Sequence, residues 1–199
     1  MNQPGQSDGL NCLQIHLTDH LAAAQAMDSV LPTVHQVAML LCQRFADGAH
    51  VYSFGNGGSA ADAQHFTGEL IGHYKRSRRA LPAVTLSTDP TVMTCIANDY
   101  DYADVFARQI SALARPGDVI VAFTTSGRSP NVVTGLQAAR LAGATTVLFG
   151  GCGGGAASRH ADYALLSPTD QTPRVQEMHT LMLHMISDHV DAWAAIGSP

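Results

Sequence analysis

The chain is short of charge. Lys, Arg, Asp and Glu make up 14% of its 199 residues, where about 25% is usual. So few charges do not cover a globular surface, and part of that surface is expected to be buried in a homo-oligomer. The net charge is −5, which argues against a nucleic-acid partner held mainly by phosphate contacts. No apolar run approaches the ~20 residues that span a bilayer, so no membrane partner is expected. The opening MNQPGQSDGLN lacks the basic start and apolar core of a signal peptide. Cys12, Cys42, Cys95 and Cys152 are scattered with no CxxC pair, which signals neither a cysteine-rich zinc site nor a redox motif. Such cysteines fit a reducing compartment, and the expected location is cytoplasmic. No internal repeat and no interdomain linker interrupts the sequence.

What is present is a core. Hydrophobic residues form 46% of the chain, ample for one packed interior. Residues 1–11 read as a disordered tail, and 12–199 as a single domain. From 13 to 45 apolar residues recur at helical spacing, with Pro32 marking a break between two helices. Strands then alternate with helices: strands at 49–54, 81–86, 116–123, 145–150 and 162–167, and helices to about Gly72, at 91–97, 102–113, 129–143 and 173–193. PGDVIVAF opens with a turn and continues as an unbroken apolar run, as in a strand buried on both faces. Ser129 is placed to cap the helix that Pro130 opens and Gly143 ends. Alternation of this kind implies right-handed crossovers. The fold class is α/β, three layers around a five-stranded parallel sheet, plus the N-terminal helices.

Ligands of open parallel sheets sit beyond the carboxyl ends of the strands, and three loops there are unusual: GNGGS (55–59), TTSGRS (124–129) and GGCGGG (150–155). Thr124, Thr125, Ser126 and Ser129 surround Gly127 just before a helix N-terminus, where free N–H groups and the helix dipole favour an anion. Capping accounts for Ser129 and leaves three hydroxyls over, which favours a phosphate cradle. The loop is not a Walker A sequence, and GNGGS is not GxGxxG, since Ala60 stands at its sixth position.

Two further stretches carry chemistry. His65 and Glu69 of QHFTGE lie about 40° apart around a helix and ~6 Å along it. That spacing suits two ligands of one metal or an acid and a base, although taken alone such a pair is most often an ordinary surface pair. The last helix carries Gln176, His179, His184 and His189. Gln176 and His184 are ~12 Å apart along the axis, so meeting at one ion needs facing side chains or a second chain, and spacing does not choose among the histidines. Lys75, Arg76, Arg78 and Arg79 of YKRSRR read as a solvated loop rather than an anion groove.

Taken together, GNGGSAADAQHFTGE, IANDYDY, TTSGRSPNV and RVQEMHTLMLH resemble, in order, the sugar isomerase (SIS) fold, and more closely the phosphoheptose isomerases, over residues 13 to 193. The resemblance implies a flavodoxin-like sheet and conversion of sedoheptulose 7-phosphate to D-glycero-D-manno-heptose 7-phosphate through an enediol. It implies that Asn56, Gly57, Gly58 and Ser59 line the sugar phosphate, and that Asn98 and Asp99 hold sugar hydroxyls. Thr124, Thr125, Ser126 and Ser129 would grip the phosphate, with Glu69 and Gln176 also on the substrate. His65, Glu69, Gln176 and His184 match the family's zinc ligands, one Zn2+ per subunit of a homotetramer, and Glu69 and His184 match its acid/base pair. Arg128 departs from the family's usual asparagine, and Gly150–Gly151 from its usual Thr–Gly; both bear on substrate choice. The alternative is a non-catalytic SIS-fold regulator that binds the replication initiator. Proteins of that kind resemble this chain in the loops but lack the glutamate and the second histidine. SIS isomerases acting on arabinose 5-phosphate usually carry an added pair of regulatory domains, for which 199 residues leave no room.

Overall fold

A computed structural model describes residues 6–196. Five strands, β1 (Val51–Gly55), β2 (Ala83–Thr85), β3 (Val119–Thr124), β4 (Thr145–Gly150) and β5 (Tyr163–Leu166), form one sheet in the order β2-β1-β3-β4-β5. All four pairings are parallel, with Ser53 beside Val121, Val121 beside Val147 and Phe149 beside Leu165. This is the flavodoxin-like order that the sequence led us to expect.

Among the described residues seven α-helices surround the sheet: α1 (Gln6–Gln25), α2 (Leu31–Ala46), α3 (Gly58–Ile71), α4 (Pro90–Asp99), α5 (Ala107–Leu113), α6 (Pro130–Leu141) and α7 (Thr172–Ala194). Alternate residues of each strand serve opposite faces. Val121, Phe123, Val147 and Phe149 pack with α2, α3 and α7. Phe54, Ile120, Ala122 and Leu148 pack with α5, α6 and Ile96 of α4. Both faces of the central strands are therefore apolar, which is why Val119–Phe123 of β3 reads as an unbroken hydrophobic run.

Element ends differ from expectation where local chemistry decides them. The break between α1 and α2 is a 3-10 turn at Ala26–Ser29, and Pro32 falls inside the first turn of α2, where its missing N–H costs no helical bond. The single helix expected over 102–113 divides into a 3-10 turn at Tyr102–Asp104, capped by Asp101, and α5. Of the tail expected over 1–11, residues 1–5 lie outside the described residues and Gln6–Asn11 are the first turns of α1. No helix among the described residues is long and apolar enough to cross a membrane.

The strand order reverses between β1 and β3, so the crevice of this fold opens at their carboxyl ends. There α3 and α6 begin. From the crevice α3 runs back along the sheet, and its last turn lies at the opposite edge.

Candidate active site

At the crevice the loop after β3 turns through Gly127, whose φ is +62° and where a Cβ would sit 2.0 Å from the Gly154 carbonyl oxygen. No side chain fits there. The neighbouring glycine-rich loop backs this turn: the Ala157 N–H donates to the Gly127 carbonyl at 2.9 Å. The third unusual loop thus supports the second.

Within the turn Thr124 Oγ1 accepts from the Gly127 N–H at 3.1 Å, and Ser126 Oγ from the Arg128 N–H at 3.2 Å. Accepting leaves both O–H groups free to donate to a ligand. Ser129 holds the N-cap position of α6 but makes no capping hydrogen bond, a correction to the sequence reading. Val132 N–H bonds to the Ser129 carbonyl instead, at 3.1 Å, and Pro130 brings no donor to be capped. The Ser129 hydroxyl is free as well. Thr125 is half-buried beside it, and the Arg128 side chain is exposed.

The loop after β1 is fixed by a residue that sequence reasoning missed. Asn131, 2% exposed, exchanges two amide hydrogen bonds of 2.9 Å with Asn56. Its signal was its place in the first turn of α6, after Ser129 and Pro130. Tyr102 Oη donates to Asn56 Oδ1 at 3.3 Å. Gly57 precedes α3, and Ser59 is buried in its first turn. A Cβ on Gly58 would lie 2.2 Å from Gln176 Nε2, so the glycine lets the Gln176 amide rest on the start of α3. Asn98 and Asp99 are exposed on the last turn of α4, where Asn98 Nδ2 donates to Asp99 Oδ1 at 2.7 Å. Among the described residues neither bonds to the loops.

A second cluster lies toward the far end of α3. His65 Nε2 meets Glu69 Oε1 at 3.0 Å and His184 Nε2 at 3.3 Å. The side chains of His65 and Glu69 are 40% and 17% exposed. Ligand atoms of a tetrahedral zinc site with arms of about 2.05 Å lie about 3.3 Å apart. The two spacings about His65 are near that value, and the donor atoms of His65, Glu69 and His184 all fall within 4.8 Å of one another, which makes the three a candidate donor set for such an ion. Gln176 does not join them. It lies at Gly58, eleven residues before Glu69 on α3, about 16 Å along the axis. Partial burial lowers the His184 pKa below the ordinary value, His65 and Lys75 add to this, and Glu69 opposes it. His184 also stacks on Tyr74, centroids 5.0 Å apart and planes at 21°, a contact the sequence did not signal.

The structure also separates the α7 histidines. His179 is fully buried, edge-on to Phe123 and Phe149 at 5.9 Å each. His189 turns to α2, with Nε2 3.2 Å from Met39 Sδ. Only His184 of the three reaches His65.

A hydroxyl-lined turn thus stands on a helix N-terminus at the switch point of a five-stranded parallel sheet, and residues 21–151 match the family model of the SIS domain. The phosphoheptose isomerase of Trichlorobacter lovleyi is 44% identical over 88% of this chain and 90% of its own length. That of Paramagnetospirillum magneticum is 49% identical over 75% and 78%. The structure of the phosphoheptose isomerase from Neisseria gonorrhoeae superposes with a TM-score of 0.87 at 35% identity, covering 92% of this chain and 98% of that one. This chain belongs to the phosphoheptose isomerase family.

Proposed function

We propose that the chain is an aldose–ketose isomerase converting sedoheptulose 7-phosphate to D-glycero-D-manno-heptose 7-phosphate, with Glu69 and His184 as its acid/base pair. The observation that carries this is the meeting of His65, Glu69 and His184 in a molecule whose turn before α6 also presents free hydroxyls at a helix N-terminus. Isomerisation moves one proton from C1 to C2, while O2 gains a proton and O1 loses one, through an enediol. A carboxylate suits removal of the C1 proton, and a neutral imidazole suits exchange at the C2 side. The lowered His184 pKa keeps that imidazole neutral through a wider span below pH 6.5. The regulator reading is less favoured because this chain keeps both Glu69 and His184.

His65, Glu69 and His184 would also hold zinc, which when bound supplies Lewis-acid polarisation of a carbonyl. A lone pair engaged by a metal does not take a proton, so Glu69 and His184 serve the two roles in turn or with different atoms.

Gly58 at the start of α3, beside the loops, and Glu69 are eleven residues apart, about 16 Å along the helix axis. Seven carbons and a phosphate joined by single bonds of about 1.5 Å span less, about 10 Å. The substrate therefore bridges the cradle and Gln176 of one copy and Glu69 and His184 of another, in the homotetramer implied by the resemblance. Leu10, Leu13, Leu17 and Leu21, 51–66% exposed along one side of α1, supply an apolar stripe for assembly.

The test is Glu69→Gln. Turnover of sedoheptulose 7-phosphate should vanish while melting temperature and oligomer mass stay those of wild type; near-normal turnover overturns the assignment. A wild-type protein making no aldose, with or without zinc, would move the reading to the regulator.

A further inference from the structure

Between α3 and β2 the run YKRSRR keeps Lys75, Arg76 and Arg79 exposed, as its charges lead one to expect, but buries the Arg78 side chain. It is folded onto α7 through Asp191, which is fully buried. Asp191 Oδ2 accepts three successive backbone N–H groups, those of Tyr74 at 3.0 Å, Lys75 at 2.7 Å and Arg76 at 2.9 Å. Its Oδ1 accepts from Arg78 Nε at 2.8 Å, and the side chains of Arg78 and Asp191 are 1% and 0% exposed. The other arms of the Arg78 guanidinium donate to main-chain carbonyls of the last turn of α3, Nη1 to Leu70 at 2.7 Å and Nη2 to Glu69 at 2.5 Å.

Desolvating an ion pair is costly, and holding a surface loop does not require one. This pair sits where it constrains the acid/base cluster. Asp191 follows His184 by seven residues, two turns of α7, and so shares its face. The loop it holds places the Tyr74 ring flat on the His184 imidazole, while Lys75 Nζ lies 4.7 Å from the centroid of that ring. An imidazole on a helix surface rotates about its side-chain bonds; one with an aromatic ring against its face does so less freely. Its Nε2 stays directed at His65.

We propose that Tyr74 is a positioning residue for His184, and that the Arg78–Asp191 pair is the latch that holds Tyr74 in place. The catalytic readout rests on the isomerase reading above, whereas the spectroscopic one does not. The full-length chain is prepared as Tyr74→Phe, Tyr74→Leu and Arg78→Lys, with histidine rings labelled for NMR and His184 assigned through His184→Asn. A ring stacked on His184 shifts its proton signals upfield. Tyr74→Phe should keep that shift, with kcat within about twofold of wild type. Tyr74→Leu should lose it and lower kcat by roughly ten- to a hundredfold, the scale of a misplaced catalytic group, with KM and melting temperature little changed. Arg78→Lys keeps the charge but loses the guanidinium fork, and should reduce the shift. An unchanged His184 signal in Tyr74→Leu overturns the proposal, as does wild-type kcat in that variant. Equal losses in Tyr74→Phe and Tyr74→Leu overturn it too, by pointing to the hydroxyl instead of the stack. If the wild type shows no isomerase activity, the function reading fails and the ring shift alone decides the positioning.

Discussion

If the phosphate cradle of one copy serves the acid/base pair of another, two inactive variants should repair each other. The first is Glu69→Gln, with an intact cradle. The second is Ser126→Ala with Ser129→Ala, whose Glu69 and His184 are intact. A hydrogen bond to a charged group contributes about 1.5–3 kcal/mol, so removing both hydroxyls should weaken phosphate binding by about 3–6 kcal/mol, roughly 10²- to 10⁴-fold. Either variant alone should be nearly dead at moderate substrate. In a hybrid assembled at random from equal amounts, about half the cradles and half the acid/base pairs are intact. Independent pairing makes about a quarter of the sites whole. The assay unfolds and refolds a mixture, purifies hybrids carrying a tag from each variant, and measures aldose formation. If both halves of a site came from one chain, every site in the hybrid would lack one half and no activity would return. Activity no greater than the sum of the two parents would refute the shared site.

Two further outcomes follow from single contacts. Gly127→Ala forces a left-handed residue, at a cost of about 1–2 kcal/mol, and drives a Cβ to 2.0 Å from the Gly154 carbonyl; melting temperature should fall and inhibition by inorganic phosphate should weaken, and wild-type inhibition would contradict the cradle. Asp191→Asn leaves Arg78 buried without its partner, a loss of about 3–5 kcal/mol at neutral pH. Burial alone raises the Asp191 carboxyl, but hydrogen bonds from the Arg76 and Lys75 N–H groups, then the bond and charge of Arg78, hold it below the ordinary value of 3.8. Its contribution is therefore present above that pH and lost as pH falls through the folded value. Melting curves of wild type and Asp191→Asn should converge in acid, and a gap that stays constant down to pH 2 contradicts the assignment.

Much of this architecture was legible in the sequence, because strand and helix periodicities are local. The VIVAF run that became most of β3 was apolar at every position, and Pro130 and Gly143 bracketed α6. The hydroxyls of TTSGRS also announced themselves, since a helix N-terminus creates a need for acceptors or anions that sequence order reveals. Ser129 was misjudged for a related reason: residue type and position fit a cap, but whether the hydroxyl turns to its own helix depends on geometry. Asn131 and Tyr74 gave no periodic signal, since their importance comes from Asn56 and His184, residues distant in the chain. Of YKRSRR, only Arg78 departed from the solvated reading, because its partner Asp191 lies more than a hundred residues away.

The last helix marks the boundary most clearly. By itself the sequence determined that three histidines and a glutamine lie on α7, and that successive histidines five residues apart point about 140° away from each other. It also determined, through the family motifs, that one of them belongs with His65 and Glu69. Only the tertiary structure decided what each direction meets. His179 faces the sheet, His189 faces α2 and His184 faces α3, while Gln176 meets Gly58 at the start of α3, about three turns from Glu69. A helix sets angles about its own axis, and packing sets what stands at each angle.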